Sequence, residues 1–263
     1  MKKILETLTL CSLVFVLFSC SDGKAKNDLL KIVNEINREC PIQYDMFTCQ
    51  KAELKDNDLV LHYTVDEYFF PMELFRQNPE KIKKFGGSAV FDEDPELTEL
   101  IKRSGCGYTM IYKGNKSNEE VSIHFSEQEI KDVLEHPASQ EEILDWQIES
   151  SNAILPQQVD EVTTLLVLEK DGEDVSYIYE IDDVAMDFNA FKANQEEFRE
   201  NLKETITQLS NAPQSSFKAF LKLLCRNNKN LCYTYRGKTT EQKVTLRFTN
   251  SELRDITKDY VQD

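Results

Sequence analysis

The sequence predicts an α+β fold built from two tandem copies of one unit. Each copy has the order strand–strand–helices–strand–strand–helix, with its strands in an antiparallel sheet. Three observations predict this fold: an internal match at nearly constant spacing, strand-length segments with alternating apolar residues, and segments of helical periodicity between them. Hydrophobic residues make up 40% of the 263 residues, which is enough to build a core.

The internal match is clearest near the end of each copy. The segment 112–133 aligns without a gap onto 235–256, at an offset of 123 residues. The substitutions keep size and polarity, and Phe125 falls on Phe248. Chance rarely produces such agreement over so long a segment, so we interpret it as a duplication.

Earlier segments match at a different offset. The segment 41–45 resembles 156–160 at an offset of 115, and 59–66 resembles 175–182 at an offset of 116. The change in offset indicates that the helical part between the matches differs in length. We predict one repeat over residues 28–137 and a second over residues 141–260, with boundaries at breaks in the pattern.

Each copy opens with a predicted hairpin. Polar turns at 55–58 and 170–173 separate two strand-length segments. After the first turn, apolar residues at odd positions from Leu59 to Val65 form one face, and His62 and Thr64 lie on the other. This period of two is typical of a strand with one buried face.

A helical middle follows the hairpin. In copy two, large apolar residues recur at helical spacing before a break at 211–213: Phe191, Phe198, Leu202, Ile206 and Leu209. A second helix is predicted over 217–225. In copy one, Asp94 and Pro95 start the equivalent helix as cap and first residue, and Gly105 ends it.

A second hairpin and a short helix close each copy. The inner face of the last strand carries Ile123 and Phe125 in copy one, and the matching residues in copy two. Ser126 and Thr249 are each followed three residues later by a glutamate. This spacing is the capping box, which predicts a helix start at both places.

The N-terminus has the layout of a secretory signal peptide over residues 1–19. Lys2 and Lys3 precede an apolar run from Leu8 to Phe18, which at 11 residues is shorter than the about 20 that a membrane span needs. The polar residues that follow disfavour a core helix. Small polar residues predict a flexible tether over 20–27.

The end of this leader, Leu17-Phe18-Ser19-Cys20, resembles the lipobox of bacterial lipoproteins. The resemblance implies that Cys20 is acylated, becomes the first mature residue and anchors the protein to a membrane by lipid. The Pro-x-Gln-x-Asp entry and the Tyr-x-Tyr and Tyr-x-Gly strand patterns also resemble α+β repeats of uncharacterised secreted proteins and lipoproteins of Gram-negative, Bacteroidetes-like bacteria. That resemblance implies no activity.

The charge and the cysteine spacing exclude several classes of function. A net charge of -16 and a pI near 4.7 oppose nucleic-acid binding, because an acidic surface repels phosphate. The absence of Cys-x-x-Cys spacing and the scattered histidines argue against a structural metal site, and no cofactor is expected. Export permits disulfides. We predict one between Cys225 and Cys232, with Cys40–Cys49 as the second choice.

Several residues carry a weak resemblance to catalytic patterns. Ser215 and Lys218 fit the Ser-x-x-Lys spacing of serine β-lactamases, and 238–240 resembles their Lys-Thr-Gly. Helix capping explains the serine, and 238–240 falls in a predicted turn. His62 and His124 are predicted on the polar faces of strands, and Cys225 as a buried thiol.

Acidic and aromatic residues have ordinary structural explanations as well. Asp45 matches Asp160, and Asp66 matches Asp182, so a shared role in turns is favoured over acid–base catalysis. The acidic segment 92–94 is interpreted as a cap rather than a calcium site. The segments 69–71 and 186–188 are predicted to pack in the core rather than form exposed aromatic contacts.

These observations predict a cell-envelope protein anchored by lipid at the outer membrane. We expect it to be no enzyme, and to bind another envelope protein or a peptide through a surface shared by the repeats. The alternative is a small-ligand-binding protein or an enzyme that acts at the seam between the repeats. A concave pocket with converging polar groups would favour the alternative, and a flat seam the first interpretation.

Overall fold

The computed structural model describes residues 22–44, 47–67, 70–93, 95–184, 187–211, 216–240 and 242–257. The leader and the predicted lipid site Cys20 lie outside these residues, as do Asp45 and Ser215. None of the helices in the described part combines the length and apolar character that a membrane span requires.

The first repeat begins with a helix, and its elements are α1 (Asp22–Glu39), β1 (Ile42–Tyr44), β2 (Phe47–Lys55), β3 (Asp58–Val65), α2 (Met72–Gln77), α3 (Pro79–Glu93), α4 (Pro95–Ser104), β4 (Gly107–Gly114), β5 (Glu120–Phe125) and α5 (Glu127–Glu135). The second repeat follows the same order, with α6 (Gln140–Asn152), β6 (Gln157–Gln158), β7 (Thr163–Asp171), β8 (Asp174–Ile181), α7 (Phe188–Ala193), α8 (Gln195–Asn211), α9 (Ser216–Arg226), β9 (Asn230–Gly237), β10 (Lys243–Phe248) and α10 (Asn250–Ile256). The predicted α+β class and the two-copy arrangement are confirmed.

Each repeat forms its own five-stranded sheet. The strand order is β1-β2-β3-β4-β5 in sheet 1, and β6-β7-β8-β9-β10 in sheet 2. The prediction of purely antiparallel sheets is wrong, because the central pairs β3–β4 and β8–β9 run parallel. The helices between these strands carry the chain back to the end from which it started, and such a crossover produces a parallel pair.

The opening helix of each repeat is the main element that the sequence pattern did not reveal. Helix α1 buries Leu29 and Val33, and α6 buries Leu144 and Ile148 at the same spacing of four residues. The predicted tether over 20–27 is wrong from Asp22 onwards, since α1 begins there. Helix α1 packs on β2 and covers that end of sheet 1, so the first core is incomplete without it.

The turns and caps follow the sequence closely. In repeat one, the turn of the first hairpin has positive φ at Asp56 and Asn57 (51° and 75°). In repeat two, the corresponding turn has Gly172 with φ of 54°. Gly105 adopts φ of 61° after α4, where a left-handed residue ends the helix. The capping boxes at Ser126 and Thr249 are both formed, and a third precedes α6. Local side-chain chemistry therefore determines where these elements begin and end.

The length difference between the repeats lies in the helical middle. Phe75 in α2 corresponds to Phe191 in α7 at an offset of 116, whereas the second hairpins correspond at 123. Helix α8 has 17 residues where α3 has 15, and the connection to the next helix is longer in repeat two. The strands keep their register because the extra residues are absorbed outside the sheets.

Candidate binding surface

Each sheet has a helix-covered face and an outer face. Alternation in β3 and β4 directs Leu59, Leu61 and Met110 into the first core, while His62 and Ile111 lie on the outer face. The outer face is mixed in character, and it is the part of repeat one where polar side chains converge.

A shallow depression of about 280 Å³ lies on the outer face of sheet 1. Its lining comes from the four strands β2 to β5: Gln50, Lys51, His62, Tyr63, Thr64, Ile111, Lys113 and Glu120. A second depression, of about 490 Å³, follows one exposed side of α1. A single helix lines that one, so its polar groups do not converge from several elements.

A charged network borders the depression on β2 and β3. His62 Nε2 lies 2.8 Å from Glu53 Oε1, and Lys51 Nζ lies 3.3 Å from Glu53 Oε2. The hydrogen bond from His62, followed by that from Lys51, holds the pKa of Glu53 below its usual value. Glu53 is therefore ionised at neutral pH and neutralises part of the positive charge around the depression.

A second cluster joins a carboxylate, a hydroxyl and an imidazole. Thr109 Oγ1 donates to Asp58 Oδ2 at 3.0 Å and lies 3.0 Å from His124 Nδ1. His124 Nδ1 also lies 3.0 Å from Asp58 Oδ2. Thr109 and His124 face each other across β4 and β5, and β3 begins at Asp58 beside them. A hydroxyl, an imidazole and a carboxylate are also the three groups that form a nucleophile–base–acid triad.

The geometry of this cluster differs from that of a working triad. In a nucleophilic triad, the acid contacts one ring nitrogen of the histidine and the nucleophile contacts the other. Here Nδ1 faces both Thr109 and Asp58. The imidazole therefore cannot accept the hydroxyl proton at one nitrogen while the carboxylate orients it through the other.

The second repeat has a different set of residues at the same place. Asp174 corresponds to Asp58, and it pairs with Arg247 at 2.8 Å where copy one has His124. Cys232 occupies the position that corresponds to Thr109, and it faces Arg247 across β9 and β10. Arginine is always protonated and supplies no base. The feature shared by the copies is a contact between an aspartate at the start of one strand and a basic side chain near the end of another.

Aromatic and charged side chains pack against each other at the seam between the repeats. Phe85 of α3 stacks on Trp146 of α6, with ring centroids 5.6 Å apart and planes at 18°. Lys81 lies 2.6 Å from Glu149 and also contacts the face of the Trp146 ring at 5.3 Å. Both depressions lie away from this contact. The seam is where the alternative interpretation of the sequence placed a ligand or a reaction.

The other candidate residues occupy ordinary structural positions. Lys218 lies on α9, and its predicted partner Ser215 is outside the described residues. Asp160 accepts a backbone hydrogen bond from Val162, which lowers its pKa, and Asp182 accepts one from Val184. Within the described ranges, no three His, Cys, Asp or Glu side chains are grouped as a metal site.

The structure describes part of each aromatic segment. Phe70 packs against the first core and Phe188 is buried in the second, whereas Phe69 and Met186 lie outside the described residues. Asp187 caps α7 by accepting from the backbone of Asn189 and Ala190. The interpretation of these segments as core contacts holds for the two phenylalanines that are described.

All five described cysteines are free thiols in the structure, including the predicted pair Cys225 and Cys232. Cys225 Sγ lies 3.8 Å from Thr257 Oγ1, on the helix side of sheet 2. Cys232 lies on the outer face, between Ser176 and Arg247 on the neighbouring strands. The turn after α9 brings the two segments together, but the register of β9 directs the two sulfurs to opposite faces.

A duplicated carboxylate clamp was missed because it lies one residue beyond the matched aspartates. Glu67 Oε2 accepts the backbone N–H groups of Lys116 and Ser117 at 2.6 and 2.7 Å. In repeat two, Asp183 accepts those of Thr239 and Thr240, both at 2.9 Å. Each carboxylate fixes the loop of the second hairpin. The loop 238–240, which resembled a catalytic motif, is thus a clamped turn.

No protein-family model matches the chain, and no curated protein does. Two solved structures show a weak similarity. One is a protein from Pseudomonas aeruginosa described as secreted, with 19% identity and a TM-score of 0.35, over 43% of this chain and 99% of that chain. The other is EpsS, the pilotin of the Vibrio vulnificus type 2 secretion system, with 11% identity and a TM-score of 0.30, over 41% and 96%. At these TM-scores neither similarity indicates a function for this chain.

Proposed function

We propose that this chain is an exported envelope protein, anchored by lipid on Cys20, that binds a protein or peptide partner and catalyses no reaction. The anchoring is supported by the sequence Leu17-Phe18-Ser19-Cys20 after a short basic and apolar leader. An attached lipid would hold the folded part close to a membrane surface. This location restricts the partner to molecules of the envelope.

The binding role is supported by one observation, the depression on the outer face of sheet 1. Four strands contribute side chains to one shallow depression, whose lining includes the apolar Ile111 and the charged Lys113 and Glu120. An open, shallow surface of mixed character suits a polypeptide segment better than a small ligand, which binds in enclosed and mostly apolar pockets.

An enzymatic role is the second candidate because Thr109, His124 and Asp58 converge on the same face of sheet 1. The shared use of Nδ1 opposes a proton relay, and repeat two replaces the histidine with Arg247. A structural role accounts for both copies, whereas catalysis would concern one. We therefore assign the cluster to stabilisation of the strand ends.

The lipid anchor can be tested by mass spectrometry of the mature protein from membranes. We expect an acylated N-terminal Cys20, and a Cys20→Ser variant that is released from the membrane fraction. Recovery of an uncleaved N-terminus or an unmodified Cys20 from native membranes would disprove the anchor.

The binding surface can be tested by photo-crosslinking with a matched control. A photoreactive residue at Lys113 lies at the edge of the depression, and Arg236 is its exposed equivalent in repeat two. We expect a saturable crosslink from position 113, lost when Ile111→Asp changes the surface, and none from position 236. Equal crosslinking from both positions, or none from position 113, contradicts the assignment.

The absence of catalysis is tested on a broad hydrolase panel. The enzymatic interpretation would be restored if the purified protein turned over a substrate and either Thr109→Ala or His124→Ala abolished that activity. The variant's melting temperature would have to be unchanged.

A further inference from the structure

Two thiols meet where the first helix of repeat one passes into its sheet. Cys40 Sγ lies 3.9 Å from Cys49 Sγ. Cys40 is half-buried and Cys49 is buried at 2% exposure. A disulfide bond has a sulfur–sulfur distance of about 2.05 Å, so rotation of the two side chains has to close less than about 2 Å.

The backbone around this pair is fixed on both sides. Cys40 N donates to Ile36 O at 2.9 Å, which ties it to the end of α1. Cys49 lies within β2, opposite Ile42 on β1 and Tyr63 on β3. Because both segments are held by hydrogen bonds, the proximity of the sulfurs is a property of the fold.

The other cysteines in the described part of the chain have non-thiol partners. Cys106 Sγ lies 3.8 Å from Ser104 O, and Cys225 Sγ lies 3.8 Å from Thr257 Oγ1. Cys232 is flanked by Asp174, Ser176 and Arg247. Sulfur–sulfur contact among these five residues is thus confined to one pair.

The chemistry of the pair favours a structural bond over a reactive site. Burial, the largest effect, raises the pKa of Cys49 to about 12, and it also raises that of Cys40. Nucleophilic and metal-binding cysteines need the thiolate form. Two protonated thiols in contact are unsuited to either task at neutral pH. In repeat two the equivalent positions are Leu155 and Leu165, which are half-buried.

We propose that Cys40 and Cys49 form a structural disulfide that ties the end of α1 to β2 in the first repeat. Each thiol loses its proton, one sulfur–sulfur bond forms, and the two electrons pass to a disulfide oxidant, which is cleaved to two thiols. The supply of this oxidant in the cell rests on the proposed export. The geometry of the pair is independent of it.

The bond can be tested on the full chain with Cys20→Ser, purified in the reduced state. The protein is refolded from urea in the presence of glutathione disulfide, so that the thiols react while they are exposed, and it is then alkylated in urea and digested with trypsin. Residues 39–51 then form one peptide that contains both cysteines, because cleavage follows Arg38 and Lys51. We expect this peptide to be unalkylated and two hydrogen masses lighter than the dithiol, with Cys106, Cys225 and Cys232 alkylated.

Thermal unfolding provides a second readout. We expect reduction to lower the melting temperature of the oxidised protein by about 5–10 °C. Cys40→Ser and Cys49→Ala should each remove this response, while Cys225→Ala should retain it. Alkylation of both Cys40 and Cys49 after oxidation, or a bond that joins either to another cysteine, would overturn the proposal.

A separate arm tests export. Cells that express the unaltered chain are treated with a thiol-blocking reagent before lysis, and the same peptide is examined. A bond that forms with glutathione disulfide but is absent from cells supports the disulfide geometry and counts against export into an oxidising compartment. Failure with glutathione disulfide counts against the disulfide itself.

Discussion

Asn37 and Asn152 make the same pair of hydrogen bonds in the two repeats. Asn37 Nδ2 donates to Ala52 O, and Ala52 N donates to Asn37 Oδ1, both at 2.8 Å. Asn152 makes the same two bonds with Leu168, again at 2.8 Å. Each asparagine lies in the last turn of the opening helix of its repeat, and it pairs with the second strand of the sheet as a neighbouring strand would. It therefore satisfies backbone groups on β2 and β7 beyond the short edge strands.

Replacing either asparagine with alanine should destabilise its repeat. Asn37→Ala and Asn152→Ala each leave a strand N–H and C=O without these partners, so we expect a loss of about 1–3 kcal/mol in the free energy of unfolding. Urea unfolding measures it. Asn34→Ala, on the exposed side of α1, is the control and should stay within about 0.5 kcal/mol of the parent. Equal values for Asn34→Ala and Asn37→Ala would contradict the clamp.

The last inward-facing residue of the second hairpin should contribute equally to the stability of the two repeats. Phe125 and Phe248 are both fully buried, and both contact a second ring edge-on. Truncation to alanine should lower the free energy of unfolding by about 3–5 kcal/mol in either repeat, since it leaves a cavity in the core. Leucine at either position should have a smaller effect. A loss below about 1 kcal/mol for either alanine variant would argue against equivalent cores.

The carboxylate clamps should control the mobility of the hairpin loops. Asp183→Asn weakens the acceptor for the N–H groups of Thr239 and Thr240, so these amides should exchange hydrogen faster at neutral pH. The matched variant Glu67→Gln should accelerate exchange at Lys116 and Ser117 and leave the loop of repeat two unchanged. Hydrogen exchange with mass spectrometry resolves both. The clamp model fails if neither loop responds.

Glu129 should make stability depend on pH in the acidic range. A hydrogen bond from Lys83, followed by the backbone N–H of Ser126, lowers the pKa of Glu129 from 4.5 to about 2. A carboxyl with a depressed folded pKa stabilises the fold above its unfolded pKa. This contribution is lost as pH falls from 4.5 towards 2.

The side chain of Glu129 is 40% exposed, so solvent screening limits its contribution to about 0.5–1 kcal/mol. The free energy of unfolding should decrease less between pH 4.5 and about 2 in Glu129→Gln than in the parent, by about 0.5–1 kcal/mol. Urea unfolding at a series of pH values measures this difference. Lys83→Met should show part of the same effect. An unchanged slope in both variants would contradict the assignment.

The duplication and the local elements could be predicted from the amino-acid sequence alone. The constant offset of 112–133, the polar hairpin turns, Gly105 and the capping boxes all predicted features that the structure contains. Apart from the repeated offset, each of these signals depends on side chains within a few residues of one another. Local chemistry decides such features whatever the rest of the chain does. Even Asn37 and Asn152 were detectable, since they share the offset of 115 with Pro41 and Pro156.

Features that depend on distant segments became visible only in the folded chain. The parallel pairing of β3 with β4 depends on where the helices return the chain. The meeting of Asp58, Thr109 and His124 depends on the register of three strands. The cysteines show the same limit, because sequence proximity favoured Cys225–Cys232 whereas the sheet brings Cys40 and Cys49 into contact. Strand register decides which face a side chain occupies, and one residue of shift reverses it.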